Sequence, residues 1–294
     1  MDINSAFRSR GICFPVDILS SDETELCRLN MLAYLEKIHW KLTPFSRHKP
    51  HLILPWVREL AQHRNILEAI KPILGDDILL WYSVVFVKAP KSDQYVPWHQ
   101  DATYWALHNQ NEGLTVWLAL NDVDEQNGSM SYLPGSHKSS LEKKHIISGK
   151  TGNLLARGQI MTNIDPTGEE WVSLKAGQAS LHHNMIVHRS GPNHSAVPRL
   201  GLAFRYIKPD NSPVTLKWMK RSATLVSGTD QFHNFSKDPN PLCDSEGICR
   251  RAHRLSVLKA ILHTLAGDTS RNIRKKLTDS IPTLFSNIQN ISKN

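Results

Sequence analysis

A chain of 294 residues, 40% hydrophobic and 21% charged, can bury a substantial core, which excludes a disordered tail or a small disulfide-stapled scaffold. No run approaches the roughly 20 apolar residues a membrane-crossing helix needs, and Met1-Asp2-Ile3-Asn4 lacks the pattern of a secretory signal, so a cytoplasmic protein without a membrane partner is expected. The formal charge of +8 comes from 35 Lys and Arg against 27 Asp and Glu. Much of it falls late, at Arg250, Arg251, Arg254 and Lys259 and at Arg271, Arg274, Lys275 and Lys276. Aromatics are not interleaved there as a nucleic-acid stacking platform requires, so nucleic acid is disfavoured as a partner.

Ser20 or Ser21 caps a predicted helix through Leu26, Leu29, Leu32 and Leu35, with Asp22, Glu23 and Glu25 near its positive end. A second helix is expected over Val57 to Ile73, ending near Gly75, and Ile78 to Val87 reads as a strand. Arg47, His48, Lys49 and His51, and then Lys88, Lys91 and Tyr95, either line an opening or stay solvated.

Next comes Trp98-His99-Gln100-Asp101-Ala102-Thr103-Tyr104-Trp105. In an extended strand, residues i and i+2 share a face, so His99 and Asp101 reach one metal while Gln100 points away. His188 downstream would complete two imidazoles and a carboxylate, the facial set that holds non-haem Fe(II) with positions left open. In a chain with 15 histidines, a surface histidine beside an aspartate cap is the other reading, and spacing alone leaves both open.

Leu114 to Leu120 is apolar and β-branched, suited to a buried strand that stops at Asn121-Asp122, and Asn127-Gly128 and Pro134-Gly135-Ser136 mark turns. Strands are expected at Trp171 to Leu174 and at Ala179 to Val187, leading into His188. After Gly191-Pro192-Asn193, Arg199 opens another strand-like run, Leu200 to Tyr206. A guanidinium there suits a dicarboxylate, which it grips through two parallel hydrogen bonds, although an edge-strand arginine fits the pattern too. Leu255, Leu258, Ile261, Leu262 and Leu265 suggest a last amphipathic helix, against a second subunit or the domain's own sheet. Cys13, Cys27, Cys243 and Cys249 form no close metal pattern and read as free thiols, with a Cys243 to Cys249 disulfide as the alternative.

Taken together, His99-Gln100-Asp101, Val116 to Leu120, Asn127-Gly128-Ser129-Met130, Pro134 to Lys138 and His188 to Asn193 with Arg199 resemble the phytanoyl-CoA dioxygenase family of Fe(II)/2-oxoglutarate oxygenases. The resemblance covers roughly Phe7 to Ile207. It implies a mainly β fold with flanking α-helices, a double-stranded β-helix (jelly roll, cupin-like), as a single domain over residues 1–294 with a helical extension from about 250. It implies His99, Asp101 and His188 as catalytic iron ligands, Arg199 on the distal carboxylate of 2-oxoglutarate with Ser190 assisting, and Trp117 against the co-substrate. Trp105, six residues past His99, falls where related hydroxylases place a pocket aromatic.

The implied reaction uses Fe(II), 2-oxoglutarate and molecular oxygen to hydroxylate a small molecule, an amino acid derivative or a natural-product intermediate, in a monomer or homodimer. Halogenating relatives carry a small residue where this chain keeps Asp101, so chlorination is not expected. Desaturation, cyclisation or oxidative dealkylation by the same chemistry is the alternative outcome. A non-catalytic cupin-like binding protein is the non-enzyme alternative.

Overall fold

The structure is a computed structural model that describes residues 2–105, 107–139, 145–147, 152–155, 159–214 and 221–266. Its helices are α1 (Ile3–Arg10), α2 (Ser21–Lys37), α3 (Pro44–Arg47), α4 (Pro55–Leu60), α5 (Arg64–Leu74), α6 (Ala102–Trp105) and α7 (Glu246–Ala266). Its strands are β1 (Ile12–Asp17), β2 (Ile78–Lys88), β3 (Val96–His99), β4 (Gly113–Ala119), β5 (Met130–Tyr132), β6 (His145–Ile147), β7 (Gln159–Met161), β8 (Glu170–Trp171), β9 (Gln178–His183), β10 (His188–Ser190), β11 (Arg199–Ile207), β12 (Ser222–Ser227) and β13 (Ser236–Lys237). One sheet has seven strands in the order β1-β9-β4-β11-β2-β12-β13, and a second has four, β3-β10-β5-β8.

Period-two alternation sorts the side chains of the larger sheet into two layers. Leu114, Val116 and Leu118 of β4, with Leu200, Leu202, Phe204 and Tyr206 of β11, join the core under the helices. Trp117, Ala119 and Ala203 face the other way, into a core shared with Met130 and Tyr132 of the smaller sheet. Every residue of β4 is buried because both faces are covered. Gly201 falls at an inward position beside Trp117, where a Cβ would overlap the indole, so glycine at that point lets Trp117 lie flat across the strand.

The helices differ from the sequence expectation in which face they bury. Ser20 caps α2 through a capping box, its hydroxyl accepting from Glu23 N at 3.3 Å and Glu23 Oε2 accepting from Ser20 N at 2.8 Å. Leu35 is buried and Leu32 packs against the core as expected, yet Leu26 and Leu29 are 62% and 50% exposed, and Thr24 and Met31 take their place facing the core. The expected helix from Val57 to Ile73 is two helices. The Tyr206 hydroxyl donates to Ala61 O at 2.9 Å, drawing off a carbonyl where α4 ends, and His63 then caps α5. In α7 the buried residues are Cys249, His253 and Val257 rather than the expected leucine stripe. The side chains of Leu262 and Leu265 and the whole of the second basic cluster lie outside the described residues.

Two strand expectations are also corrected. Regular pairing near Trp171 is confined to β8, with Val123 and Leu174 joined by a lone bridge. The run from Ala179 to Val187 is interrupted after His183 by a turn whose carbonyls are taken from outside: Asn184 O accepts from Ala102 N at 2.8 Å and Met185 O from Gln100 Nε2 at 2.6 Å. That turn carries the chain from the larger sheet to the smaller one, where His188 begins β10. The four cysteines are free thiols.

Candidate metal centre and anion site

β3 and β10 run antiparallel with His99 directly opposite His188, and Tyr132 of β5 flanks His188 on the other side. Strand β3 ends at His99. Asp101 therefore sits not on an extended strand but in the turn that opens α6, its carbonyl accepting from Tyr104 N at 2.9 Å. Gln100 turns away to Met185, as alternation predicts. One donor atom from each of His99, Asp101 and His188 lies within 4.8 Å of the other two, and all three residues are buried.

Both imidazoles are oriented through Nδ1. His99 Nδ1 lies 2.9 Å from Pro97 O and 3.0 Å from His188 O, and His188 Nδ1 lies 3.0 Å from Ile186 O. Carbonyls accept, so Nδ1 donates in each ring, and Nε2 is the nitrogen left for a metal. Burial, with His99 and His182 nearby, holds His188 well below its ordinary value and so neutral. Burial alone would raise the Asp101 carboxyl, but Arg205, then His182 and His99, outweigh it and keep it ionised. Arg205 Nη2 lies 3.0 Å from Asp101 Oδ1, and Thr115 Oγ1 donates to Oδ2 at 3.0 Å. Two imidazole nitrogens and one carboxylate, each aimed by a second contact, fit a divalent ion of the first transition row.

These side chains line one cavity of about 340 Å³. Arg199, Ser190, Trp117 and Trp105 line it as well. The Arg199 guanidinium lies 5.3 Å from the Trp117 ring centroid and donates to Gly128 O. Ser190 lines the cavity beside Arg199. Its hydroxyl accepts from Lys88 Nζ at 2.8 Å. Lys88 is the register partner of Arg199 across β2 and β11 and is fully buried. Burial, reinforced by Arg199, pushes the Lys88 ammonium down to about 5, and burial pushes Arg199 down to about 9. Neither has a carboxylate partner among the described residues, and a buried guanidinium without a counter-charge, beside an amine that an anion would protonate, forms a place for an anion.

The opening candidates divide. Arg47 and His48 line the cavity, whereas Lys49 and His51 turn to the buried Asp238, each at 3.6 Å. Lys91 and Tyr95 are not among the lining residues. Arg205 and His182 are the residues that sequence reasoning missed, and Lys88, an opening candidate there, is instead buried beside Arg199. Arg205 shares a strand face with Arg199, and His182 shares one with Ser180, but only the strand neighbours reveal what those faces meet. His182 Nε2 lies 3.7 Å from Asp101 Oδ2 and its Nδ1 2.9 Å from the Tyr132 hydroxyl.

Among proteins of known description, a probable alpha-ketoglutarate-dependent hypophosphite dioxygenase of Stutzerimonas stutzeri is 32% identical over 182 residues, 61% of this chain and 63% of that protein. The match thus spans less than two thirds of that relative's length. A solved non-heme monooxygenase, the ThoJ nickel complex, superposes with a TM-score of 0.73 at 31% identity, covering 88% of this chain and 96% of that one. Its apo form gives 0.75 at 30% identity, covering 89% and 100%. The expected cytoplasmic location is overturned by relatives named as peroxisomal phytanoyl-CoA dioxygenases, among them one from Bos taurus, 26% identical over 135 residues, 45% of this chain and 40% of that protein. No described helix is long and apolar enough to cross a membrane. The phytanoyl-CoA dioxygenase (PhyH) profile matches residues 30–201, more than half of the chain, and the protein belongs to that family.

Proposed function

We propose that this protein is an Fe(II)- and 2-oxoglutarate-dependent dioxygenase that hydroxylates a small molecule. The observation that carries the reading is one cavity joining the His99, Asp101 and His188 cluster to the uncompensated Arg199, with Lys88 buried directly behind it against Ser190. In this reading His99, Asp101 and His188 hold the metal. Arg199 and Lys88 bind the distal carboxylate of 2-oxoglutarate, Ser190 holds Lys88 in place, and Trp117 forms the floor beside Arg199. When bound, iron and 2-oxoglutarate supply an oxidation of a C–H bond coupled to decarboxylation to succinate, with molecular oxygen as oxidant.

The chain's own residues position and exclude. Arg205 and Thr115 fix the Asp101 carboxylate, the backbone carbonyls of Pro97 and Ile186 fix the two rings, and Trp105 and Met130 help keep water from the reacting centre. A cavity near the lower end of the roughly 300–1,000 Å³ range for ligand pockets suits one discrete small molecule beside the co-substrate. The two sheets and their helices are read as a double-stranded β-helix forming one domain over residues 1–294, to which α7 is the helical extension.

Anaerobic titration of 2-oxoglutarate into the Fe(II)-loaded protein tests the reading. A visible charge-transfer band is expected in wild type and none in His99→Ala. Arg199→Ala is expected to need about tenfold or more 2-oxoglutarate for half-saturation, because a bidentate charged contact is lost. A folded wild type that binds neither metal nor 2-oxoglutarate overturns the reading. With substrate present, succinate should form and the product should carry label from molecular oxygen. A desaturated product would keep the oxidant and replace hydroxylation, and a chlorinated one would contradict the retention of Asp101.

A further inference from the structure

The cavity carries more positive charge than a metal centre and one dicarboxylate use. Along β2 the charges fall in two groups six residues apart: Lys88 pairs with Arg199 of β11, whereas Tyr82 pairs with Arg205. At a rise of roughly 3.3 Å per residue these strand positions are separated by about 20 Å. The second group continues away from β11. Arg221, just before β12 on the other side of β2, and Arg47 of α3 line the same cavity, with His48 between them and Tyr82.

A bulge gathers this group. Arg205 is opposite Tyr82 and Tyr206 is opposite Leu80, so Trp81 is an extra residue, and both Trp81 and Tyr82 line the cavity where regular alternation would send one away. Arg221 lies 4.5 Å from the Trp81 ring centroid and Arg205 5.8 Å from that of Tyr82. Aromatic faces hold the guanidiniums without spending their N–H groups. Arg47 Nε, Arg205 Nε and Trp105 Nε1 are buried donors with no hydrogen-bond partner. Among the described lining residues the one carboxylate is Asp101, already paired with Arg205. Buried donors and cations left open toward a cavity are complementary to an acceptor-rich ligand.

We propose that Arg47, Arg205 and Arg221, with His48, form a second oxyanion subsite, which binds a carboxylate, phosphate or phosphonate group of the substrate and so sets which C–H bond faces the metal. This rests on the dioxygenase reading for its consequence, though not for the binding itself. Helix α7 closes the subsite: Val257, Ala260 and Ile261 line the cavity, and His253 Nε2 donates to His48 O at 2.8 Å. Enclosure lowers the screening of the charges and favours a compact substrate.

Calorimetric titration of phenylphosphonate and benzoate, with benzamide as the neutral counterpart, tests this on the full-length protein. Each probe is added to protein holding Ni(II) and saturating 2-oxoglutarate, and to protein with neither. At least one of the two acids is expected to bind about tenfold or more tightly than benzamide, and Arg47→Gln and Arg221→Gln are each expected to weaken that acid by a similar factor. Arg47→Lys should restore part of the loss, and 2-oxoglutarate affinity should be unchanged in both Gln variants. Which acid binds better identifies the oxyanion. Equal binding of benzamide, no binding of either acid, or a loss in Arg199→Gln with none in Arg47→Gln overturns the subsite. If Arg221→Gln fails to fold, the half-buried Arg47 carries the test alone. Acid binding through Arg47 in a protein that takes neither Ni(II) nor 2-oxoglutarate would retain the subsite and reject the dioxygenase reading.

Discussion

Two side chains show how charge at a single residue governs this site. Lys88 is pushed down to about 5 by burial and by Arg199, so near pH 7 its amine is mostly neutral. A carboxylate docked beside it favours the ammonium and raises that value, so binding takes up a proton wherever the pH lies between the two values. Calorimetry of 2-oxoglutarate binding in buffers of different ionisation enthalpy should therefore report uptake of up to about one proton at pH 7. The uptake should vanish in Lys88→Met and fade as the pH falls below about 5, where Lys88 is charged before the ligand arrives. A pH-independent proton count of zero in wild type would remove Lys88 from the co-substrate site. Asp101 is the second case, because the metal-free protein balances its carboxylate with Arg205 at 3.0 Å in a buried setting. Asp101→Asn leaves that guanidinium without a counter-charge and should cost about 3–5 kcal/mol in urea unfolding. Adding Arg205→Met should recover part of the loss, and strict additivity of the two variants would show that the pair is not coupled.

At the scale of elements, what could be read from the sequence depended on how far apart the deciding contacts lie. His99 and Asp101 are neighbours in the chain, and Asp101 reaches the metal cluster although it sits in a turn rather than on the strand. The strand-like runs from Leu114 and from Arg199 were legible because buried strands announce themselves locally. Arg205 was not, and Lys88 was legible only as a candidate for an opening, since their meaning comes from β2 lying beside β11, a pairing between residues more than a hundred positions apart. The helices failed for a related reason: α2 and α7 carry apolar residues on more than one face, and the partner surface selects which is buried. In α7 that choice places Val257 at 0% exposure, over the cavity rather than on a leucine stripe. Val257→Asp buries a charge there and should detach the helix, so amide hydrogen exchange should quicken over residues 250–261 while β2 and β11 stay protected. Metal affinity should hold, because no ligand comes from α7. Unchanged exchange in this variant would mean that α7 does not owe its position to the cavity wall.

For the whole molecule, the candidate centre acts as a cross-link. His99 and His188 are separated by 89 positions, and they reach each other only after the chain has crossed from the larger sheet back to the smaller one through the turn at Asn184. A metal that binds this arrangement and not the unfolded chain must stabilise the fold as a unit. At a hundredfold excess over Kd the gain is about 2.7 kcal/mol, or roughly 5–10 °C in Tm at the 2–4 °C per kcal/mol typical of large domains. Differential scanning calorimetry with Ni(II) should show that rise in wild type and a further rise with 2-oxoglutarate, whereas a His99→Ala, His188→Ala double variant should lose the Ni(II) rise and keep only a reduced 2-oxoglutarate rise. The order of addition carries its own information. If 2-oxoglutarate binds partly through the metal and partly through Arg199 and Lys88, its increment without Ni(II) should shrink without disappearing. In Arg199→Ala the metal increment should remain while the 2-oxoglutarate increment falls. A 2-oxoglutarate increment of full size without metal would place the acid elsewhere in the cavity, and a metal increment retained in the double histidine variant would move the centre away from β3 and β10.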